Sequence, residues 1–537
     1  MALGGTYAFS DSASSKVAKQ SVRASVILLG GSLISNVLLL VNVLIVARLL
    51  GQQLYGQYTL SISPATIFIL FSGVGINTAI TRFAAYHISR GEMNEARRKT
   101  ANGVLFILLL GTGLSALSYF LSPFIADTIL HRPLLVSDVQ LASLAVIGQI
   151  AFSCAISSLV GWSSPKPAGA TYITQAVVKV AVAPALILLG FAVLGAVLAQ
   201  VLSVLVASSL AISFLFIYKL RGADSISRIG SRFFSDVKEM IRYGIPSEIG
   251  AYFANFAGQN YVIIILGIVT TDAVVGYFQV ATGVTAIISV VSTALSLSLF
   301  AGFSSLHGQN RNTGQAFVYA VKYVAYAVSP FIFFLIAAAV PLIRVVFGVR
   351  YSPAAPLLAL ISFSNIPTII GQSVFVPYFN GIGKTNFTLI ALIADGVVSL
   401  ALAPLFGVFL GAYGVTLALL CSNFASGVVA LYLTKRNLNT QIDYKASLRA
   451  LGVAALCAVV SYGSGLINQS SSFFPTLATL VLQFVVFFGL YLLLAPLFRV
   501  VDKSDIARLR EASVGMRSIS KFILILLKFE EKMIRSK

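Results

Sequence analysis

Long apolar runs, parted by short connections rich in charge, Gly or Pro, constrain this chain more than any other feature. They fall at 24–47, 58–80, 103–122, 138–160, 171–191, 193–218, 243–269, 273–300, 319–341, 357–380, 387–406, 411–434, 449–467 and 474–498. A helix needs about 20 apolar residues to cross the hydrocarbon, so each run is long enough to span. The connections between them are too short to fold into a domain with its own core. The fold class predicted is therefore an all-α membrane protein with fourteen transmembrane helices. Composition agrees: only 10% of the 537 residues are charged, against about a quarter in a soluble protein. That excludes a multidomain soluble enzyme, a disordered chain and a secreted disulfide scaffold. Cys154, Cys421 and Cys457 all lie in apolar runs and support neither a disulfide framework nor a metal site. No metal or organic cofactor is expected. Residues 1–23 are polar and show no cleavable signal, since the first apolar run already spans.

The net charge of +20 would suggest nucleic acid in a soluble protein, but in a membrane protein Lys and Arg collect on the cytoplasmic side. With the N-terminus inside, the cytoplasmic segments hold 32 of the 37 Lys and Arg residues. Only Arg48, Arg132, Arg344 and Arg350 fall outside, and Lys179 lies within a span. A missing or extra helix would scramble this alternation. The sequence thus predicts a multi-pass protein of the plasma membrane with both termini cytoplasmic, with membrane lipids and not nucleic acid as partners. The tail 499–537 mixes basic residues with the run FILILL at 522–527, the pattern of an amphipathic helix on anionic lipid.

The chain also repeats itself. RLLGQQLYGQYTL at 48–60 resembles ILGIVTTDAVVGYFQVA at 265–281, pairing Gly51 with Gly267, Gly56 with Gly276 and Tyr58 with Phe278. Pro123 matches Pro341, and Ala183-Pro184 matches Ala403-Pro404, at offsets of 218 and 220. Six helices per repeat preserve membrane orientation, so the repeats are parallel and related by an axis along the membrane normal. The organisation predicted is a cytoplasmic N-terminal segment 1–23, a first six-helix lobe 24–218, an inter-lobe loop 219–242 and a second lobe 243–434. Helices 449–498 and the tail 499–537 follow. Two like lobes facing each other across a cleft suit alternating access.

Ionisable groups at membrane depth are expensive and usually face a cavity or a partner. In the seventh run Glu248, Tyr252, Asn255 and Gln259 recur at i, i+4, i+7 and i+11, the spacing of one helical face. The eighth carries Gln279, Thr282, Thr285, Ser289, Thr293 and Ser296, which serve either a cavity or helix–helix hydrogen bonding. Through the offset of 220, Gln175 matches Asp395 and Lys179 matches Ser399. Lys179 sits about 12 Å into its helix at 1.5 Å per residue, where it either snorkels to the surface or meets Asp395 across the lobes. The first run adds Ser35, Asn36 and Asn42, with Arg48 and Arg82 at span ends. No P-loop, dinucleotide loop or nucleophile motif is present, so the protein is expected to be a secondary-type transporter and not an enzyme.

Fourteen spans in a six-plus-six-plus-two plan, LLG-x4-YGQY after the first, RYGIPSEIG at 242–250 and YSPAAPLLALISF at 351–363 carry a family resemblance. The chain resembles the polysaccharide-flippase (Wzx-like) branch of the multidrug/oligosaccharidyl-lipid/polysaccharide exporter superfamily over residues 20–498. That resemblance implies a V-shaped central cleft and a flippase turning a polyprenyl-(pyro)phosphate-linked oligosaccharide from the inner to the outer leaflet. It also implies a monomer in contact with glycan-assembly enzymes, with basic residues drawing in the anionic head group. Here Lys179, with Arg48 and Arg82, is left to that role, while Glu248 or Asp395 offers a site for a coupling cation or proton. A cation-coupled multidrug or metabolite exporter is the alternative. A membrane glycan polymerase or transferase is a third reading, disfavoured by the short outer loops.

Overall fold

The computed structural model describes residues 11–71, 75–220, 232–256, 258–309, 312–438, 444–466, 472–498 and 500. Side chains at 11–26, 29, 246–256, 259, 294, 297 and 301 fall outside the described set. The tail 501–537, with its predicted amphipathic helix, and the residues 221–231 of the predicted inter-lobe loop also lie outside the described residues.

Among the described residues all regular secondary structure is helical. In chain order the helices are α1 (Asp11–Phe71), α2 (Ile76–Ser89), α3 (Met93–Phe124), α4 (Val136–Gly161), α5 (Pro165–Leu186) and α6 (Ala192–Leu215). They continue as α7 (Phe233–Phe256), α8 (Gln259–Val269), α9 (Asp272–Gly308), α10 (Thr313–Ala337), α11 (Ala339–Phe347) and α12 (Ala354–Phe363). The last four are α13 (Gln372–Gly381), α14 (Thr385–Leu438), α15 (Tyr444–Leu466) and α16 (Phe473–Leu497). Nine helical stretches among the described residues are long and apolar enough to cross a membrane, or ten if α12 and α13 count as one bent span. Three stretches exceed one crossing and turn at glycines: Gly51 (φ 73°), Gly190 (φ 94°) and Gly411 (φ 56°). Each has a backbone that a residue with a Cβ rarely adopts.

Several helices outrun the apolar runs. α3 starts ten residues before the run at 103, α7 ten residues before that at 243, and α1 already within the polar segment 1–23. Hydropathy marks where the membrane begins, whereas helical hydrogen bonds continue into water. Other runs are broken. In the predicted second span Gly75 stands at φ 72° immediately before α2; residues 72–74 lie outside the described residues. The seventh parts at Gly258, whose extended backbone separates α7 from α8. The tenth parts between α12 and α13.

The chain divides into two packed units. One comprises Met1–Leu50 and Leu60–Tyr252, the other Gly51–Thr59 and Phe253–Lys537. In the first, α4 packs against α3 and α6 through small residues. Gly111 lies against Ile150, Gly148 against Val204, and a hydroxyl cluster joins the helices, with Ser118 Oγ 3.0 Å from Ser143 Oγ and Ser115 Oγ donating to the Ser143 carbonyl. This is the packing by small and hydroxylated residues that replaces the hydrophobic effect in lipid. At the basic end of this unit Arg98 holds Asp236 bidentately, at 3.1 Å for both Nε and Nη2. Asn102 donates to the same carboxylate at 2.8 Å, and Lys99 pairs with Glu239 at 2.8 Å. These bonds tie the start of α7 to α3.

In the second unit, α15 and α16 pack on α10. Tyr491 donates to the Tyr326 carbonyl at 2.9 Å and lies 3.0 Å from Ser329 Oγ. The buried rings of Phe317, Phe375 and Tyr378 pack α10 onto α13. At the start of α9 the duplicated sequence meets itself. A Cβ on Gly56 would lie 1.7 Å from the Asp272 carbonyl oxygen, and one on Gly276 2.2 Å from that of Gln52. Gln57 Nε2 adds a bond to Asp272 Oδ2 at 3.1 Å. Both Gln52 and Asp272, and Gly56 and Gly276, stand 220 residues apart. The two glycines paired in the sequence thus face each other in one contact.

Gly56→Ala and Gly276→Ala should each force backbones apart at about 1–3 kcal/mol and lower the melting temperature in detergent. Gly452→Ala, which meets nothing within 4 Å, should leave it unchanged or slightly raised.

Candidate functional site

The best-defined site among the described residues lies inside the second unit, where the predicted tenth span is interrupted. The sequence SFSNIPTIIGQS at 362–373 cannot continue as an α-helix. Pro367 has no N–H to give, and Gly371 stands at φ 111°. α12 therefore runs into a 3₁₀ turn at Ile366–Thr368, and the next helix starts at Gln372. Backbone groups freed at membrane depth must find partners, and here they do. Asn365 Nδ2 donates to the Ile361 carbonyl at 2.8 Å and Asn423 Nδ2 to the Ser364 carbonyl at 3.3 Å. Ser296 Oγ of α9 donates to the Ser373 carbonyl at 3.1 Å, and Gln372 Nε2 to Asn423 Oδ1 at 3.0 Å.

The break opens a cavity of about 460 Å³ between α9, the interrupted segment and α14, lined by Ser292, Thr293, Asn365, Gln372, Asn380 and Asn423 among others. A neighbouring cavity of about 220 Å³ shares Thr368 and Gln372 and adds Ser373, Asp395 and Ser426. Asp395 is half-buried, and its Oδ1 is buried with no hydrogen-bond partner. A carboxylate at this depth with one oxygen unanswered has the chemistry of a cation or proton site. Among the described residues no three His, Cys, Asp or Glu side chains group as metal ligands.

The structure treats the sequence-predicted residues unequally. Asp395 lines a cavity, as do Ser289, Thr293 and Ser296 of the predicted stripe. The stripe's other end differs: Thr282 and Thr285 donate to the carbonyls of Gln279 and Thr282 in their own helix. Gln175 and Lys179 are half-buried on α5, and Lys179 forms no ion pair with a described residue of its own unit. On α1, Asn42 is buried with Oδ1 unpartnered, whereas Asn36 and Arg48 are exposed. Arg82 lies with its guanidinium carbon 4.1 Å over the Tyr243 ring, held within the first unit. The side chains of Glu248, Tyr252, Asn255 and Gln259 lie outside the described residues. In the backbone the first three sit on α7 and Gln259 opens α8 just after Gly258.

Asn365, Thr368, Gln372, Asn380 and Asn423 escaped sequence reasoning because no helical period relates residues on two sides of a break. The available signal was a hydrophobic segment interrupted by both Pro and Gly, which in transporters points to a binding site.

With this geometry in hand, comparison with known proteins gives the class: an all-helical multi-pass membrane protein with the fold of the multidrug and flippase transporters. The structure of the lipid II flippase MurJ in an inward closed conformation matches with a TM-score of 0.68 at 15% identity, covering 88% of this chain and 99% of that one. An inward-facing multidrug transporter of the MATE family matches with a TM-score of 0.66 at 18% identity, over 77% and 98%. The family model described as "Polysaccharide biosynthesis protein" matches residues 21–307, and the chain belongs to that family. The succinoglycan biosynthesis transport protein ExoT of Rhizobium meliloti (strain 1021) is 24% identical over 348 residues, 64% of this chain and 66% of that protein.

Asn423→Leu should strand the Ser364 carbonyl and one Gln372 donor, at about 1–3 kcal/mol for each buried group. The measurement is the melting temperature in detergent, which should fall well below that of Asn437→Leu at an exposed helix end.

Proposed function

We propose that this protein is a flippase that moves a polyprenyl-(pyro)phosphate-linked oligosaccharide or polysaccharide precursor across the plasma membrane by alternating access. The observation that carries this reading is membership of the polysaccharide biosynthesis family over residues 21–307. The MurJ-like fold supports it by covering 99% of a flippase for another lipid-linked saccharide. Family and fold neighbours named as transporters favour a transporter over an enzyme.

The finer architecture belongs to the same proposal. Fourteen crossings follow if the stretches turned at Gly51, Gly190 and Gly411 each cross twice and the broken seventh and tenth spans cross once each. Two parallel six-helix lobes at 24–218 and 243–434, the pair 449–498 and cytoplasmic termini complete it, and the charge alternation supports the orientation. The chain would work as a monomer alongside glycan-assembly enzymes. Lys179, with Arg48 at the end of its span, would draw in the phosphates. Arg82, held on Tyr243, would add charge at the entry, while the polar residues of α7 and Gln259 would meet sugar hydroxyls.

Coupling to a monovalent cation or proton at Asp395 is supported by its unpartnered Oδ1. Glu248 offers a second carboxylate. The same feature favours one alternative, a cation-coupled exporter of drugs or metabolites.

Depletion of the protein in its host should trap lipid-linked oligosaccharide in the inner leaflet, where a glycosidase added to spheroplasts cannot reach it. Drug sensitivity without such trapping would support the exporter instead. In proteoliposomes Asp395→Asn should abolish any acceleration of transport by a Na⁺ or proton gradient. If the variant keeps the wild-type gradient response, coupling at Asp395 is wrong.

A further inference from the structure

The larger cavity of the second unit holds an unusual combination for membrane depth: many hydrogen-bonding groups and no charge. Its lining comprises hydroxyls, carboxamides and a few apolar side chains, and none of them ionises. The internal bonds of the site settle what each amide has left to offer. Asn380 Oδ1 accepts from Thr388 Oγ1 at 2.8 Å, so its two N–H donors remain. Asn365 spends a donor on the Ile361 carbonyl and keeps its oxygen as an acceptor. Gln372 spends one donor on Asn423 and keeps its oxygen and a second donor. Ser292 Oγ is buried with no partner at all.

Hydroxyls that merely join helices behave differently in this protein. Ser115, Ser118, Ser122 and Ser143 of the first unit all bond to one another or to backbone oxygens. Thr282 and Thr285, earlier on the same helix as Ser292, bond to their own backbone. The cavity lining is thus set apart by its unspent donors and acceptors. Ser292 Oγ is buried without a partner, and the amides beside it keep donors and acceptors to give, so the lining suits a ligand with matching hydrogen bonds.

A phosphate or a uronic acid would enter without a compensating positive charge, and burying it so is costly. A cation is better served by Asp395 next door. A volume of about 460 Å³ falls in the range of small-molecule sites, roughly 300–1,000 Å³. Neutral sugars carry several hydroxyls, each both donor and acceptor, on a ring whose apolar face can lie against Phe300 or Pro377.

We infer that the cavity between α9, the interrupted α12–α13 segment and α14 is a subsite for neutral sugar residues of the transported glycan, with Ser292, Asn365, Gln372 and Asn380 as its recognition groups. The inference rests on the flippase reading and deepens it. The carrier's phosphates bind elsewhere, and this cavity selects neutral over acidic glycans.

The test uses the full chain with Cys154, Cys421 and Cys457 replaced by Ala and Thr293→Cys introduced, at an exposed position of the same lining, reconstituted in vesicles. Labelling by a small maleimide is timed alone, with polyprenyl pyrophosphate, and with the same carrier bearing a neutral trisaccharide or a trisaccharide of uronic acids. The neutral glycan should slow labelling at least tenfold, and the bare carrier and acidic glycan should have little effect. Equal protection by bare and neutral-glycosylated carrier, or protection by neither, overturns the subsite. So does equal protection by the neutral and acidic glycans. Flipping of the neutral substrate is followed in the same vesicles. Flipping without protection removes the subsite and leaves the flippase standing; protection without flipping does the reverse. Where Thr293→Cys fails to fold, Ser289→Cys, exposed in the same lining, replaces it.

Discussion

Everything at the candidate site depends on the intolerance of lipid for unanswered backbone hydrogen-bonding groups. A continuous helix meets that demand by itself. Where Pro367 and Gly371 end one helix and delay the next, the demand passes to side chains. Asn365 and Asn423 meet it by donating to two carbonyls, and Ser296 answers the Ser373 carbonyl, which Pro377 leaves without its helical donor. Once amides and hydroxyls are at membrane depth for that purpose, their spare donors and acceptors form a polar cavity. On the proposed subsite Asn365 serves both structural repair and ligand recognition, and its loss should weaken both stability and transport.

The segments aligned in the sequence supply a second theme. Gly56 and Gly276 each admit the other's helix. At the same offset of 220 from Gly371 lies Ala151, in the middle of α4, which is continuous from Val136 to Gly161. That helix is stitched to its neighbour by serines, whereas the segment at Gly371 borders a cavity.

Much of the fold was legible because hydropathy and lipid obey the same rule. The apolar runs located most of the helices, and motifs of Gly, Pro and aromatics carried the family resemblance. What hydropathy missed has physical reasons. Charged turns such as Arg97–Arg98–Lys99 looked like loop yet are helical, because helix formation does not stop at the membrane boundary. The site was read in part. Asp395 stood out as a charge at depth, and half of the stripe on α9 lines the cavity. Its partners Gln372 and Asn423 lie 51 residues apart in sequence and meet only through folding. Gln259, read in the sequence on one face with Glu248, opens α8 just after Gly258.

The most direct measurement is translocation by the purified protein. Vesicles carrying a fluorescent polyprenyl-pyrophosphate oligosaccharide in both leaflets are exposed to an outside glycosidase. The account predicts that protein-free vesicles lose about half the label-bearing glycan and stop, whereas vesicles holding the protein proceed to near-complete digestion. Digestion that stops at the same plateau with and without the protein, under either a Na⁺ or a proton gradient, would contradict it.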